Sequence, residues 1–94
     1  MLVRGELDLA TAAEFEAAVA EQLREGRPVL LDLAELAFMD SSGVAGLHRL
    51  SQATAGGDPA FAIAATMRPG VRQVLEITGV LPLLPLESLE APDG

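Results

Sequence analysis

Apolar and polar positions along the chain fall into three stretches with helical spacing, separated by short apolar runs. Ala12, Phe15, Val19 and Leu23 stand three, four and four residues apart, which gathers them on one helix face. Glu14, Glu21, Arg24 and Glu25 take the other side. Thr11 followed three residues later by Glu14 has the form of a capping box and sets the helix start at Ala12; Gly26 and Pro28 stop it. Before this helix, Leu2, Val3 and Leu7 bracket a short strand running into Gly5-Glu6-Leu7-Asp8. After it, the apolar run from Val29 to Leu33 has strand length. Asp32 interrupts that run and has two readings: a strand-end carboxylate that accepts backbone hydrogen bonds, or a functional group.

Ala37, Phe38 and Met39 read as an apolar loop that enters a second helix, with Asp40 or Ser41 as its N-cap and Val44, Leu47 and Leu50 on its inner stripe. Gly56-Gly57-Asp58-Pro59 is a turn cluster, and Phe61, Ile63 and Ala65 alternate with Ala62 and Ala64 as a further strand. Pro69 suits the first position of a third helix, Val71, Val74, Leu75 and Thr78 share its face, and Gly79 closes it. Val80 to Leu86 carries Pro82 and Pro85 and is expected to return along a sheet edge, where proline is tolerated. This order of elements predicts an α/β sandwich with a mostly parallel sheet. One domain is expected over residues 1–86, followed by an acidic C-terminal tail over 87–94.

Composition narrows the chemistry. The 94 residues include 14 acidic and 6 basic side chains, for a formal charge of -8, and every basic residue is arginine. Without lysine there is no Gly-Lys-Ser/Thr phosphate loop and no Schiff-base chemistry. The negative charge, the absence of Trp and Tyr and the presence of only three Phe argue against direct binding of DNA or RNA. Zero cysteines exclude thiolate nucleophiles and cysteine zinc sites, and the single His48 excludes a multi-histidine metal site. No cofactor is expected. No apolar stretch approaches the ~20 residues of a membrane-spanning helix, and no secretory leader is recognisable at the start, so the expectation is a cytoplasmic protein without membrane insertion.

The segment Asp40-Ser41-Ser42-Gly43 stands out because it opens a predicted helix, where free backbone N–H groups and the helix dipole favour an anion. The same residues also read as ordinary caps with a glycine for close packing. A catalytic serine needs a general base within reach. His48 is seven residues beyond Ser41, about 10 Å of helical rise, so an enzyme is not expected.

Taken together, Gly5-Glu6-Leu7-Asp8 with Thr11-Ala12, then Leu31-Asp32-Leu33, Phe38-Met39-Asp40-Ser41-Ser42-Gly43-Val44 and Val71 to Val80 resemble, in order and spacing, a STAS domain of the bacterial anti-sigma factor antagonist group. The resemblance spans residues 2 to about 86. It implies a STAS-type sandwich and a non-enzymatic switch: the unmodified protein binds an anti-sigma factor that is a serine kinase of the histidine-kinase-like ATPase fold, and so releases a sigma factor. Phosphorylation by that kinase ends binding, and a serine phosphatase resets it. The family's phosphoacceptor corresponds to Ser41. Asp8 and Asp40 correspond to neighbouring acidic positions, and Asp8, Asp40, Ser41, Ser42, Gly43 and Val44 form the implied partner-binding set.

Against the family pattern, no first strand is recognisable ahead of Gly5-Glu6-Leu7-Asp8, which leaves three readings: a start assigned too late, a truncated chain, or a sheet edge that pairs in a homodimer. The runner-up keeps the fold and changes the partner, since STAS domains also serve as assembly subunits that contact the ATPase of phospholipid-transport ABC systems.

Overall fold

In a computed structural model, which describes residues 1–87, the three helical patterns become α1 (Ala12–Arg24), α2 (Ser41–Ala53) and α3 (Pro69–Ile77). The strands are β1 (Gly5–Leu7), β2 (Val29–Leu31), β3 (Leu36–Met39), β4 (Phe61–Ala64) and β5 (Leu86–Glu87). A single 3-10 turn over Leu81–Leu83 precedes β5. Glu87, the first residue of the tail expected over 87–94, is paired in β5 instead, and the tail from Ser88 on lies outside the described residues.

Every strand pair is parallel: β1 with β3, β2 with β4, and β4 with β5. A parallel bridge between Leu2 and Asp32, with Val3 N donating to Asp32 O at 3.0 Å, joins the two sets. The strands therefore run in the order β3-β1-β2-β4-β5, and the helices supply the long connections that parallel neighbours require. Of the segment Val80 to Leu86, expected to return along a sheet edge, only Leu86 does so, at the start of the edge strand β5, while Leu81–Leu83 form the 3-10 turn. The pairing of β5 is confined to Leu86 and Glu87, beside Ile63 and Ala64.

The alternation of the strands decides which face is buried. Glu6 stands beside Phe38 and Leu7 beside Met39. Leu7 and Met39 are 1% exposed, while Phe38 is 48% exposed on the other face. Leu31, Leu33 and Ile63 join the buried face, and the helices cover it with Val19, Leu47, Val71 and Leu75. Val44, Leu47 and Leu50 are all buried, as the spacing on α2 predicts. α1 and α3 end alike: Gly26 and Gly79 adopt φ of 79° and 76°, and the next residues, Arg27 and Val80, donate N–H to Gln22 O and Leu75 O. These contacts satisfy carbonyls that the last turns leave free, with glycine where a side chain would be strained.

Two local expectations differ from the structure. Ala37–Met39 is not a loop but part of β3; its burial runs in, out, out, in, and the register shifts at Gly5 and Glu6, so the period-2 signal of a half-buried strand is broken. Thr11 occupies the N-cap position of α1 but makes no side-chain cap bond. Its hydroxyl donates to Glu6 O at 2.9 Å and accepts from Asp8 N at 2.9 Å. The first residue of α1, Ala12, donates its N–H instead to the backbone oxygen of Asp8 at 2.8 Å. Asp32 resolves as the structural reading, with Oδ1 accepting from Ala34 N at 2.9 Å.

Candidate functional site

The site begins with a close approach. An ideal Cβ on Gly43 would lie 2.8 Å from Leu7 O and 2.9 Å from both Leu7 Cγ and Met39 Cγ. Only a residue without a side chain lets α2 start this close to the end of β1. Asp40 N also donates to Leu7 O at 3.1 Å. The chain therefore leaves β3 and enters α2 directly over the loop that connects β1 to α1.

Asp40 is the N-cap of α2. Oδ1 accepts from Ser42 N at 2.8 Å and Gly43 N at 3.4 Å, while Oδ2 accepts from Leu9 N at 3.3 Å. One carboxylate thus holds the start of α2 and the β1–α1 loop in fixed relation. Asp8 does the same within the loop, with Oδ1 accepting from Ala10 N at 3.0 Å and Thr11 N at 3.1 Å. The donors that would have welcomed an external anion at Ser42 and Gly43 are already taken by Asp40.

Asp8, Asp40, Ser41 and Ser42 come together at this junction. Ser41 is exposed and Ser42 half-buried, whereas Gly43 and Val44 are buried, so the last two position the surface and do not form it. Among the described residues, Ser41 Oγ makes no hydrogen bond. His48 Nε2 lies 3.1 Å from Gln52 Nε2, one turn further along α2, and is not joined to Ser41. Among the described residues no group of acidic or histidine side chains is arranged to hold a metal ion, and no helix is long and apolar enough to cross a membrane.

Beside Ser42 a shallow cleft of about 250 Å³ runs between α1 and α2, lined by Leu9, Ala12, Ala13, Ala45 and Arg49. Arg49 closes its far end by a two-pronged ion pair across the helices: Nε to Glu16 Oε2 at 2.9 Å and Nη2 to Glu16 Oε1 at 2.7 Å. The sequence gives no warning of this pair, because its partners are 33 residues apart and neither falls at a helical neighbour spacing. Leu9 is the other residue that the motif omits.

Hydrogen bonds from the Arg49 guanidinium hold the Glu16 carboxyl below its ordinary value of 4.5, with its charge adding in the same direction and partial burial opposing. A carboxyl whose folded pKa is depressed contributes stability above the unfolded value and loses it as pH falls through the folded one. Denaturant titrations of the wild type and Glu16→Gln are therefore expected to differ at neutral pH and to converge as pH drops below about 4.5. The difference is also expected to shrink in high salt, since Arg49 is largely exposed. A gap independent of pH would assign the contact to packing alone.

Comparison with known proteins places this geometry. An anti-sigma factor antagonist from Mycobacterium paratuberculosis has a similar structure, with a TM-score of 0.75 and 27% identity over 90% of this chain and 72% of that one. The anti-sigma factor antagonist SpoIIAA in its unphosphorylated form shares the fold, with a TM-score of 0.70 and 24% identity over 95% of this chain and 76% of that one. The family model for the STAS domain matches residues 1–91. With helices, parallel strands and the Asp40-to-Val44 junction all placed within that match, the chain belongs to the STAS domain family.

Proposed function

We propose that this chain is an anti-sigma factor antagonist: unmodified, it binds a serine-kinase anti-sigma factor and frees a sigma factor, and phosphorylation of Ser41 by that kinase ends the binding. A serine phosphatase restores it. The observation that carries this reading is the placement of Ser41, exposed at the first position of α2 beside a carboxylate whose oxygens are already engaged. The similarity to an anti-sigma factor antagonist at 27% identity supports it.

The chemistry follows from charge. A phosphoserine carries about -1.5 to -2 at neutral pH. At Ser41 it stands next to Asp40, on a chain already at -8, and the N–H donors of Ser42 and Gly43 are occupied. The added charge is therefore left for whatever docks against the start of α2, and a charge buried without compensation opposes association. The chain itself acts as a binding protein and as the substrate of the kinase, not as a catalyst.

The test is phosphoryl transfer. Each purified serine-kinase anti-sigma factor of the source organism is incubated with ATP and wild type, Ser41→Ala or Ser42→Ala, and the modified residue is located by mass spectrometry. Modification of wild type and Ser42→Ala at Ser41, and none of Ser41→Ala, is expected. Modification confined to Ser42, or association only with a transporter ATPase irrespective of Ser41, would overturn the switch.

A further inference from the structure

Leu9 is 82% exposed, more than any other large apolar side chain among the described residues. Its backbone is nevertheless pinned. Leu9 N donates to Asp40 Oδ2 at 3.3 Å, Ala10 N to Asp8 Oδ1 at 3.0 Å, and Thr11 N to Asp8 O at 3.1 Å. A loop held on both sides by carboxylates presents this leucine to solvent in one place, and a side chain on a fixed backbone loses less freedom when a partner covers it.

The surroundings pair this protruding residue with a hollow. Ala12, Ala13 and Ala45 have side chains too short to fill the space between α1 and α2, so the cleft opens beside Leu9, and Ser42 forms part of its wall. Arg49 at the end of the cleft is tied to Glu16, and the charges left beside the pair are negative. The five ion pairs among the described residues join Arg4 to Glu35, Arg24 to Glu21, Arg27 to Glu25, Arg49 to Glu16 and Arg72 to Glu76. Asp8 and Asp40 have no cation, and Asp8 Oδ2 takes no hydrogen bond among the described residues. The surface that complements this one is apolar at its centre and carries Arg or Lys at the edge facing Asp8.

We propose that Leu9 is an anchor for the anti-sigma factor, seated in an apolar recess of that partner bordered by a basic residue, while an apolar side chain of the partner enters the cleft beside Ser42. This rests on the function proposed above. It makes Leu9 a specificity residue: the Asp8 and Asp40 frame fixes the loop, and the side chain at position 9 selects the partner whose recess fits it.

The experiment is calorimetric titration of wild type, Leu9→Ala, Leu9→Asp and Ile77→Ala with each purified serine-kinase anti-sigma factor of the source organism, with thermal melts of all four. Ile77 is a control, 76% exposed on α3. Leu9→Ala is expected to weaken binding about tenfold or more, in the range of a buried interface anchor, and Ile77→Ala to leave it unchanged. Leu9→Asp separates two effects: attraction to a basic partner would strengthen it, whereas loss of an apolar anchor weakens it beyond Leu9→Ala. Wild-type affinity in both Leu9 variants, for a kinase that binds the wild type, would overturn the anchor and leave the switch intact. Failure of every such kinase to bind the wild type would overturn the switch, and the anchor with it.

Discussion

Gly43→Ala is expected to lower the melting temperature by about 8–16 °C, a larger effect than any other single methyl addition to a glycine among the described residues. The new Cβ would meet Leu7 O at 2.8 Å and the Cγ atoms of Leu7 and Met39 at 2.9 Å. Leu7 O accepts from Asp40 N, and both side chains are 1% exposed, so neither the backbone nor the neighbours have space to retreat. Overpacking of this kind costs about 1–3 kcal/mol, and a backbone obstacle places it at about 3. Replacing glycine by alanine inside a helix returns about 1 kcal/mol. The net loss of about 2 kcal/mol is large for a domain whose total stability is of order 5–15 kcal/mol, and each kcal/mol shifts the melting point by about 4–8 °C at this size. Gly70 supplies the opposite case: it lies in α3, has nothing within 4 Å of an added Cβ and has no positive φ. Gly70→Ala is expected to raise the melting temperature by about 2–8 °C through the reduced freedom of the unfolded chain. Thermal unfolding followed by circular dichroism reads both. A Gly43→Ala protein that melts at or above wild type would show that α2 withdraws from β1 without penalty.

The features that were legible in the sequence are those that local chemistry decides. Asp40 is recognisable as a cap because its oxygen reaches N–H groups only two and three residues ahead. The ends of α1 and α3 are recognisable because glycine closes each one. β3 was not, since Leu36–Met39 turns its two middle residues outward and its partner, β1, lies about thirty residues earlier in the chain. The capping box expected of Thr11 and Glu14 does not form, because the threonine hydroxyl is engaged backwards, with Glu6 O and Asp8 N. For the candidate site, only the family resemblance implied that Asp8 and Asp40 stand near Ser41; spacing along the chain brings together Asp40, Ser41 and Ser42 but not Asp8. Neither revealed that Asp40 also bonds Leu9 N or that Arg49 grips Glu16 across the helices. Those facts depend on which residues meet after folding.

Ser41→Glu is expected to weaken binding of the anti-sigma factor kinase by about a hundredfold, while Ser41→Ala binds as wild type does. A kinase that phosphorylates Ser41 has to bring the terminal phosphate of ATP to Ser41 Oγ, so in the complex this side chain faces the nucleotide. Two unit charges about 5–6 Å apart, at an effective dielectric of about 20, repel by about 3 kcal/mol, and 1.4 kcal/mol is a factor of ten. The basic residue inferred opposite Asp8 does not cancel this, because it lies at the Leu9 side of the contact and not before the nucleotide. Folding is not at stake. Ser41 is exposed, and the favourable effect of a negative charge at a helix start, about 0.3–1 kcal/mol, opposes repulsion from Asp40. Ser41→Glu should therefore melt close to wild type, which separates lost binding from lost structure. Affinity measured by calorimetry with and without bound nucleotide distinguishes the cause. If charge opposes charge, the hundredfold difference narrows when the nucleotide is removed or salt is raised. A ratio that ignores both would make the block steric, and equal affinity of Ser41→Glu, phosphorylated Ser41 and wild type would remove Ser41 from the switch altogether.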